Sequence, residues 1–421
     1  MNFGSPLFAG CLAERNITSP TDIQARVMPL LSQGKSVIFR SATGTGKTFA
    51  YLVPLLERLE GGGGPSGLSG SAGPAMMICA PTHELCAQIK NEADFLLRGM
   101  RRENAEGGHG EEGGPPPVSR VPSVLLLAGS GNIARQIDAI KKQKPLVVAG
   151  NPGRLVKLVR AGKLRTAALR FLVLDEGDRL AADELFGETS LLMGLLKNVT
   201  QAASCSATLS AKSRERLLSL FARLAEGKEA GDLEDPVVVE GGGEEILRER
   251  IQHWAFFSER RRKIDTLISF LSAGKPKKTL VISGGGGQPG IIFSRLRHAG
   301  FPAAALYGGL DKKERKAALD GFRSGKFSVL VSSDLAARGL DVPDITHVVE
   351  LDVPQDGGVY VHRAGRTGRA GKTGIMASIG DGEEMRRLQR IEKQLGITVY
   401  PKELRGGRVT VPAPDPDPRE P

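Results

Sequence analysis

The sequence predicts an α/β fold made of two similar domains, each a mostly parallel sheet covered by helices. Short apolar runs, typical of strands buried on both faces, alternate with helical or glycine-rich stretches. The same alternation occurs twice along the chain. The 421 residues, 40% of them hydrophobic, are enough to bury two cores.

Twelve apolar runs are predicted to be strands, six in each half of the chain. The first six span residues 36–40, 75–80, 124–128, 145–149, 171–174 and 202–204. The second six span residues 251–257, 278–283, 303–307, 328–332, 346–351 and 374–379. Residues 49–59 and 154–161 are predicted to form helices after the first and fourth strands.

We place the first domain at residues 1–235, a flexible linker at 236–247, the second domain at 248–400 and a tail at 401–421. The linker prediction rests on residues 226–245, which are rich in glycine and acidic residues with few large apolar ones. Two segments, 61–74 and 103–117, are rich in glycine, proline or glutamate and are predicted to be mobile surface insertions. Deleting residues 61–74 is therefore expected to leave activity nearly intact.

Composition limits the classes of function. The formal net charge of +11 favours a polyanionic partner, although a merely basic soluble protein would show the same charge. The four cysteines form no C-x-x-C pair, which argues against a disulfide framework and a zinc site. No apolar stretch approaches the roughly 20 residues of a membrane span, and the N-terminus lacks signal-peptide features. We expect a soluble intracellular protein, cytoplasmic or nuclear, with an organellar location left open.

The segment S-A-T-G-T-G-K-T at residues 41–48 is predicted to bind phosphate. Between a strand and a helix, glycines allow backbone amides to approach phosphate oxygens, and the helix N-terminus faces them. Lys47 is predicted to bridge the terminal phosphates and Thr48 to ligate magnesium, although Ser41 stands where the common pattern begins with glycine. The predicted nucleotide contacts in this loop are Ser41, Ala42, Thr43, Gly44, Thr45, Gly46, Lys47 and Thr48.

Two adjacent carboxylates follow the fifth predicted strand in D-E-G-D at residues 175–178. Open α/β sheets place ligand groups at this end of a strand. Asp175 is predicted to hold a magnesium ion, directly or through water. Glu176 is predicted to orient and deprotonate the attacking water. Solvated acidic turns are also common, so this interpretation depends on the phosphate loop upstream.

Arginines spaced to reach a phosphate occur in H-R-x-G-R-x-G-R at residues 362–369. Because the phosphate loop belongs to the first domain and these arginines to the second, the sequence predicts a nucleotide cleft between the domains. The chain would then be a motor driven by a nucleoside triphosphate. The alternative for Arg366 and Arg369 is a solvated basic face.

Eight motifs follow one another along the chain: P-T-D-I-Q at 20–24, S-A-T-G-T-G-K-T at 41–48, P-T-H-E-L at 81–85, P-G-R at 152–154, D-E-G-D at 175–178, S-A-T at 206–208, the segment 334–341, and H-R-x-G-R-x-G-R at 362–369. In this order they resemble the motifs of the DEAD-box RNA helicases of superfamily 2. The resemblance implies two tandem RecA-like domains and an RNA-stimulated ATPase that unwinds short RNA duplexes locally or remodels RNA–protein complexes. It implies ATP and Mg²⁺ as cofactors, RNA and further proteins as partners, and a monomer. Family members act in ribosome assembly, translation, splicing and organellar RNA metabolism.

The resemblance also implies roles for single residues. Gln24 is similar to the glutamine that reads adenine, Asp341 to the acid that meets the ribose, and Gly339 to a glycine beside the nucleotide. Arg366 and Arg369 resemble arginine fingers, which are worth about 10³–10⁵ in rate. The residues implied to couple hydrolysis to strand separation are Asp178, Ser206, Thr208 and His362.

RNA contacts are predicted where strands end and helices begin. Backbone amides and short polar side chains there can grip successive phosphates of one strand. Such contacts do not depend on base sequence and weaken with salt, while 2′-hydroxyls distinguish RNA from DNA. The helix at 154–161 resembles the wedge that bends the bound strand. The predicted contacts are Pro81, Thr82, Glu84, Gly131, Pro152, Gly153, Arg154, Ser333 and Asp334.

Several positions depart from the family pattern. Gly177 replaces the alanine of the family name, a small-for-small change that is predicted to leave both carboxylates in place and activity intact. His83 and Asn151 replace an arginine and a threonine, which makes RNA binding the weaker part of the prediction. The aromatic residue that stacks on adenine has no counterpart at the expected spacing, and Phe3 and Phe8 are the candidates.

Alternatives of different classes stay open. The first function is the RNA-stimulated ATPase and helicase. The second is an ATP-dependent RNA clamp or assembly scaffold with little turnover, motivated by His83 and Asn151. A DNA helicase of the same superfamily is a third alternative, which the Gln24 segment and R-G-L-D at 338–341 disfavour.

Overall fold

The computed structural model describes residues 6–15, 17–42, 44–61, 73–106, 123–129, 132–228, 233–241, 244–284, 288–307, 310–334, 342–369 and 372–412. The chain divides into two compact units, Met1–Gly242 and Gly243–Pro421. Each unit is built around its own seven-stranded sheet.

The sheet of the first unit has the order β3-β4-β2-β5-β6-β1-β7, and its neighbouring strands are parallel. Its strands are β1 (Val37–Arg40), β2 (Met76–Cys79), β3 (Val124–Leu127), β4 (Val147–Gly150), β5 (Phe171–Asp175), β6 (Gln201–Ser206) and β7 (Val237–Glu240). Its helices are α1 (Pro6–Glu14), α2 (Asp22–Ser32), α3 (Lys47–Gly61), α4 (His83–Glu106), α5 (Ile133–Gln143), α6 (Pro152–Arg160), α7 (Gly177–Leu180), α8 (Asp183–Leu195) and α9 (Ala211–Ala225).

Helices cover both faces of this sheet, which explains its continuous apolar strands. Successive strand residues point to opposite faces. Phe39 and Ile78 belong to a core with α1 to α4, whereas Ile38 and Met77 belong to a second core with α6, α8 and α9. Segments that carry motifs of this unit lie at the carboxyl ends of β1, β2, β4, β5 and β6.

The sheet of the second unit has the order β10-β11-β9-β12-β13-β8-β14, also with parallel neighbours. Its strands are β8 (Ile251–Phe257), β9 (Thr279–Ser283), β10 (Ala303–Leu306), β11 (Val329–Ser333), β12 (His347–Glu350), β13 (Gly374–Gly380) and β14 (Val399–Pro401), and an antiparallel hairpin consists of β15 (Glu403–Arg405) and β16 (Arg408–Thr410). Its helices are α10 (Glu244–Glu249), a 3₁₀ turn (Arg260–Arg262), α11 (Lys263–Gly274), α12 (Gln288–His298), α13 (Lys312–Arg323), α14 (Gly357–Ala364) and α15 (Gly382–Leu395).

The predicted fold class is confirmed: both units are parallel sheets with helices, and all twelve predicted strands are present. The helices predicted at 49–59 and 154–161 are α3 and α6, which begin one turn or less earlier. Of the helices in the described part of the chain, none is long and apolar enough to cross a membrane.

The predicted linker at 236–247 is wrong as a flexible connection. Val237–Glu240 forms β7, which pairs with β1 from Val37 to Arg40, and Glu244–Glu249 forms α10. A short run of β-branched residues can form an edge strand when a buried neighbouring strand supplies backbone hydrogen-bond partners. The glycine and acidic neighbours of this run hid it in the sequence.

The predicted tail at 401–421 is wrong for its first ten residues. Pro401 ends β14, which pairs with β8, and the hairpin β15-β16 packs Leu404 and Val409 against the core beside α11. Residues 413–421 lie outside the described part of the chain.

The two predicted insertions are only partly visible. Residues 103–106 end α4, so the second insertion begins later than expected, and residues 107–117 lie outside the described part of the chain. Gly61 ends α3, and residues 62–72 lie outside the described part as well. Gly73 has a φ of 102°, and a Cβ on it would lie 2.0 Å from the carbonyl oxygen of Arg165.

Candidate ATP site and RNA interface

The phosphate loop, the acidic turn and the S-A-T segment meet at one edge of the first sheet. They follow β1, β5 and β6, which are neighbours in the order β5-β6-β1. The Ser41 amide donates to the Ser206 carbonyl at 3.0 Å, which joins the start of the loop to the end of β6. Three motifs separated by some 160 residues therefore lie together because parallel strands end at the same edge.

The phosphate loop has the backbone shape that its glycines predict. Gly44 and Gly46 have φ angles of 79° and 85°, a region that favours glycine. Lys47 Nζ donates to the carbonyl oxygens of Ser41 and Ala42 at 2.7 and 3.0 Å. Burial lowers the pKa of Lys47, and nearby acidic groups, Asp175 among them, oppose that shift. The ammonium is thus held at the loop where it was predicted to meet phosphate.

Gln24 has a structural role that the sequence did not predict. Its Nε2 donates to the Gly46 carbonyl at 2.9 Å, and its Oε1 accepts from the Thr21 amide at 2.9 Å as part of a capping box on α2. The Thr21 hydroxyl donates to the Thr45 carbonyl at 2.8 Å. The start of α2 therefore supports the phosphate loop, and adenine recognition by Gln24 stays a prediction.

Two buried donors that were missed in the sequence fix the Asp175 carboxylate. The Tyr51 hydroxyl donates to Oδ2 at 2.8 Å and the Cys205 thiol to Oδ1 at 3.1 Å. The backbone amide of Glu176 also donates to Oδ1, at 2.8 Å. Burial raises the pKa of Asp175, and the bonds from Cys205 and Tyr51 oppose that shift. Sequence spacing could not show these partners, since Tyr51 is 124 positions away.

The acidic turn is held against β6. Glu176 adopts a left-handed conformation, with φ 51° and ψ 52°, at the N-cap position of the short helix α7, where its side chain makes no capping hydrogen bond among the described residues. The Asp178 amide donates to the Ser206 hydroxyl at 2.9 Å, and the Thr208 hydroxyl donates to the Asp178 carboxylate. The predicted coupling residues of the first unit, Asp178, Ser206 and Thr208, are therefore brought into contact.

The oxygen donors at this edge suit magnesium only in part. Asp175 and Thr48 offer the hard oxygen atoms that this ion prefers. Among the described residues no group of three or more His, Cys, Asp or Glu side chains could hold a metal ion. An ion here fits if nucleotide phosphates and water supply the remaining ligands, as magnesium usually requires.

The predicted RNA contacts of the first unit form a second group beside the first. They follow β2, β4 and β3, which are neighbours in the sheet. The Arg154 guanidinium donates to the Gly129 carbonyl at 2.6 Å, and a Cβ on Gly129 would lie 2.9 Å from His83 Nδ1. Thr82 Oγ1 accepts from the Leu85 amide at 3.2 Å as α4 begins. The members placed by the structure are Pro81, Thr82, Glu84, Pro152, Gly153 and Arg154.

Asp334 of the second unit is part of a buried ion-pair network. Arg363 Nε donates to its carboxylate at 2.7 Å, and Arg363 Nη1 donates to Glu350 at 2.6 Å and to the Asp352 carbonyl at 2.6 Å. Burial acts against the charged guanidinium, but the carboxylates of Glu350 and Asp334 outweigh it and raise the pKa of Arg363. Arg363 thus links the motif at 362–369 to Asp334 through an ion pair, a role that the sequence did not predict.

Arg366 and Arg369 follow the end of α14. Their Nε atoms donate to the carbonyls of His362 at 3.2 Å and Gly365 at 2.9 Å. Both arginines line a cavity of about 380 Å³ in the second unit. Sequence analysis missed the other charged residues of this cavity, which are Lys277, Lys278, Asp344 and Lys372.

Some predicted residues are displaced from the site or are not described. Phe8 is completely buried in the core of the first unit, so its proposed stacking on adenine is wrong. The remaining candidates outside the described part of the chain are Phe3, Thr43, Gly131, Gly339 and Asp341.

Comparisons with known families cover most of the chain. Residues 21–217 match the family described as DEAD/DEAH box helicase, and residues 262–371 match the helicase conserved C-terminal domain. The two matches contain the phosphate loop, the acidic turn, and Arg366 and Arg369.

Individual relatives agree with these matches. The DEAD-box ATP-dependent RNA helicase CshC of Bacillus cereus is 31% identical over 391 residues, which cover 91% of this chain and 88% of the relative. The DEAD-box ATP-dependent RNA helicase CshA of Geobacillus kaustophilus is 32% identical over 381 residues, 89% of this chain and 71% of the relative. The solved structure of S. cerevisiae Dbp5 bound to RNA and ADP BeF3 shares the fold, with a TM-score of 0.76, 23% identity and coverage of 95% of this chain and 94% of that one.

Proposed function

We propose that this chain, which belongs to the family of DEAD-box ATP-dependent RNA helicases, hydrolyses ATP in response to RNA and separates short RNA duplexes locally. The observation that carries this proposal is the edge of the first sheet. There the phosphate loop, Asp175 and Glu176 lie beside the Pro81, Gly129 and Pro152 segments. One sheet edge can thus present a nucleotide group and an RNA group side by side.

Each residue of the nucleotide group has a defined task in this proposal. The amides of the loop and Lys47 hold the phosphates, for which Lys47 exchanges its two carbonyl partners for phosphate oxygens. Mg²⁺, when bound, neutralises the developing phosphate charge. Asp175, whose oxygens are fixed by Tyr51 and Cys205, would hold that ion together with Thr48. Glu176 orients the attacking water and accepts its proton.

The second unit completes the chemistry in this proposal. Arg366 and Arg369 supply positive charge to the transferring phosphoryl group, as arginine fingers do. Five lysine and arginine side chains line the cavity together with the single acidic side chain Asp344, which makes it a suitable anion-facing surface. His362 is proposed to couple this event to the Asp178, Ser206 and Thr208 contacts of the first unit.

RNA is held through its backbone in this proposal. Pro152 begins α6 and Thr82 precedes α4, so both helices begin at the sheet edge, and helix N-termini favour phosphate groups. Ser333 ends β11 of the second unit and would extend the same kind of contact. Contacts of this type should weaken as salt rises.

The rival function, a clamp with little turnover, has one observation in its favour. Asn151 Oδ1 is buried without a hydrogen-bond partner and stands where the family has threonine. A weaker RNA grip at this point would reduce stimulation of ATP hydrolysis without removing nucleotide binding.

Measuring ATP hydrolysis with and without single-stranded RNA, and with DNA of the same sequence, tests the proposal. We expect RNA to stimulate hydrolysis more than DNA does, and Glu176→Gln to remove hydrolysis while RNA binding remains. Absence of stimulation by RNA, together with unchanged RNA binding by the Glu176 variant, would favour the clamp. Equal stimulation by DNA would indicate a DNA helicase instead.

A further inference from the structure

Ser204 Oγ occupies the space that a Cβ on Gly177 would need, at the point where the acidic turn lies against β6. A Cβ on Gly177 would lie 2.1 Å from Ser204 Oγ, far inside the 3.0 Å below which real Cβ contacts essentially never occur. The same Cβ would also meet Leu217 Cδ2 at 3.2 Å and Ser206 Oγ at 3.3 Å. The turn therefore lies as close to β6 as a residue without a side chain allows.

The Ser204 hydroxyl has no hydrogen-bonding role in the described part of the structure. Its residue is completely buried, and its Oγ is one of the buried side-chain atoms without a hydrogen-bond partner. An unpaired buried hydroxyl is unfavourable, because it loses water and gains nothing in return. Here it fills the volume that a methyl group on residue 177 would otherwise take.

We propose that Gly177 and Ser204 are a matched pair: Ser204 Oγ takes the space of a Cβ at position 177, so the acidic turn with Glu176 and Asp178 lies this close to β6 only while residue 177 is glycine. The two side chains together carry one Cβ and one Oγ. Alanine at both positions would carry two Cβ atoms, so the exchange conserves volume. Alanine at position 177 alone would not.

A displacement of this turn would move the carboxylates of both Glu176 and Asp178, because Gly177 lies between these residues. Asp178 is held to β6 by its amide bond to Ser206 Oγ, two residues along the strand from Ser204. Glu176 is held in a left-handed conformation directly before Gly177. A misplacement of about 1 Å can cost about 10²-fold in rate. The inference rests on the proposed roles of Glu176 and Asp178.

The test is a double-mutant cycle of Gly177→Ala and Ser204→Ala, measured by RNA-stimulated ATP hydrolysis and by thermal unfolding. We expect Gly177→Ala to lower kcat by about 10-fold to 10²-fold with a smaller change in the KM for ATP. Ser204→Ala alone should stay within about threefold of the unmodified protein, and the double variant should recover to within about threefold. Gly187→Ala in α8 is the matched control, since a Cβ there meets nothing within 4 Å.

Two results would overturn the inference. Full activity of Gly177→Ala would show that Ser204 simply rotates away, and failure of Ser204→Ala to rescue it would place the obstacle at Leu217 or Ser206. If Gly177→Ala does not fold, the double variant still decides: a folded, active double variant supports the pair, and an unfolded one contradicts it. Unmodified protein without RNA-stimulated hydrolysis would instead contradict the proposed function, and thermal unfolding would still report whether the two substitutions are coupled.

Discussion

At the scale of single residues, the site is built from side chains that burial has forced into pairs. Asp175 has Tyr51 and Cys205 on its two oxygens, and Lys47 has two loop carbonyls. Buried polar groups need such partners, since an unpaired one costs about 1–3 kcal/mol. Motif spacing predicts which residues act on the nucleotide, but it does not reveal which neighbours hold them still.

Lys47→Ala should lower the rate of ATP hydrolysis by at least about 10²–10³-fold. The substitution removes the ammonium group that the carbonyls of Ser41 and Ala42 hold at the phosphate loop. Steady-state hydrolysis with saturating RNA measures this effect. Lys35→Ala is the control, since Lys35 is exposed just before β1. Hydrolysis by the Lys47 variant at the normal rate would remove the loop from the mechanism.

His347 should make the second unit sensitive to acid. Burial lowers its pKa to about 4, below the ordinary value of 6.5. The unfolded chain therefore binds a proton before the folded one does, so stability falls as the pH drops from about 6.5 towards about 4. Denaturation of the second unit at pH 7.5 and pH 5 can be followed by Trp254, the single tryptophan of the chain, which lies on β8.

His347→Gln is expected to flatten that pH dependence, while His298→Gln, at an exposed position of α12, should leave it unchanged. His253 contributes in the same direction, because burial also lowers its pKa. Some pH dependence should therefore remain in the His347 variant. A variant as acid-sensitive as the unmodified protein would contradict the role given to His347.

At the scale of elements, apolar runs predicted the buried strands well and the edges poorly. Val173 on β5 and Val281 on β9 lie in runs that are buried on both faces, and such runs stand out in a sequence. Val238 on β7 is only partly buried, and its strand is short and followed by glycine. Edge elements such as β7 and the β15-β16 hairpin depend on a partner that is distant in sequence, so local composition misleads.

The hairpin β15-β16 should contribute to the stability of the second unit. Leu404→Ala and Val409→Ala are each expected to cost about 1–2 kcal/mol, because both side chains are partly buried against the core beside α11. Chemical denaturation followed by Trp254 measures the effect. Glu403→Ala, in the same strand but exposed, is the control and should be nearly neutral.

Unchanged stability in both hairpin variants would return residues 403–410 to the role of a tail. Truncation after Lys402 gives an independent check, since it removes both strands at once. That truncation should destabilise the second unit by more than either substitution does, whereas truncation after Pro412 keeps the hairpin and should have little effect.

At the scale of the whole molecule, the predicted chemistry is divided between two compact units. The phosphate loop and both carboxylates belong to Met1–Gly242, and Arg366 and Arg369 belong to Gly243–Pro421. The order of the motifs predicted this division, because the phosphate loop and the acidic turn come before the predicted domain boundary and the arginine motif comes after it. The sequence could not predict the basic surroundings of these arginines, since Lys277 and Lys278 lie directly before β9, far from the arginines along the chain.

Arg366→Ala should separate ATP binding from ATP hydrolysis. Because an arginine finger acts on the charge of the transferring phosphoryl group, hydrolysis should fall by about 10³–10⁵-fold while binding of a fluorescent ATP analogue changes little. Arg366 is buried and donates to the His362 carbonyl, so Trp254 emission must first show that the second unit is folded. Arg297→Ala, at an exposed position of α12, is the matched control. Normal turnover by the Arg366 variant would mean that the first unit hydrolyses ATP without the second, and the proposed division of labour between the units would then be wrong.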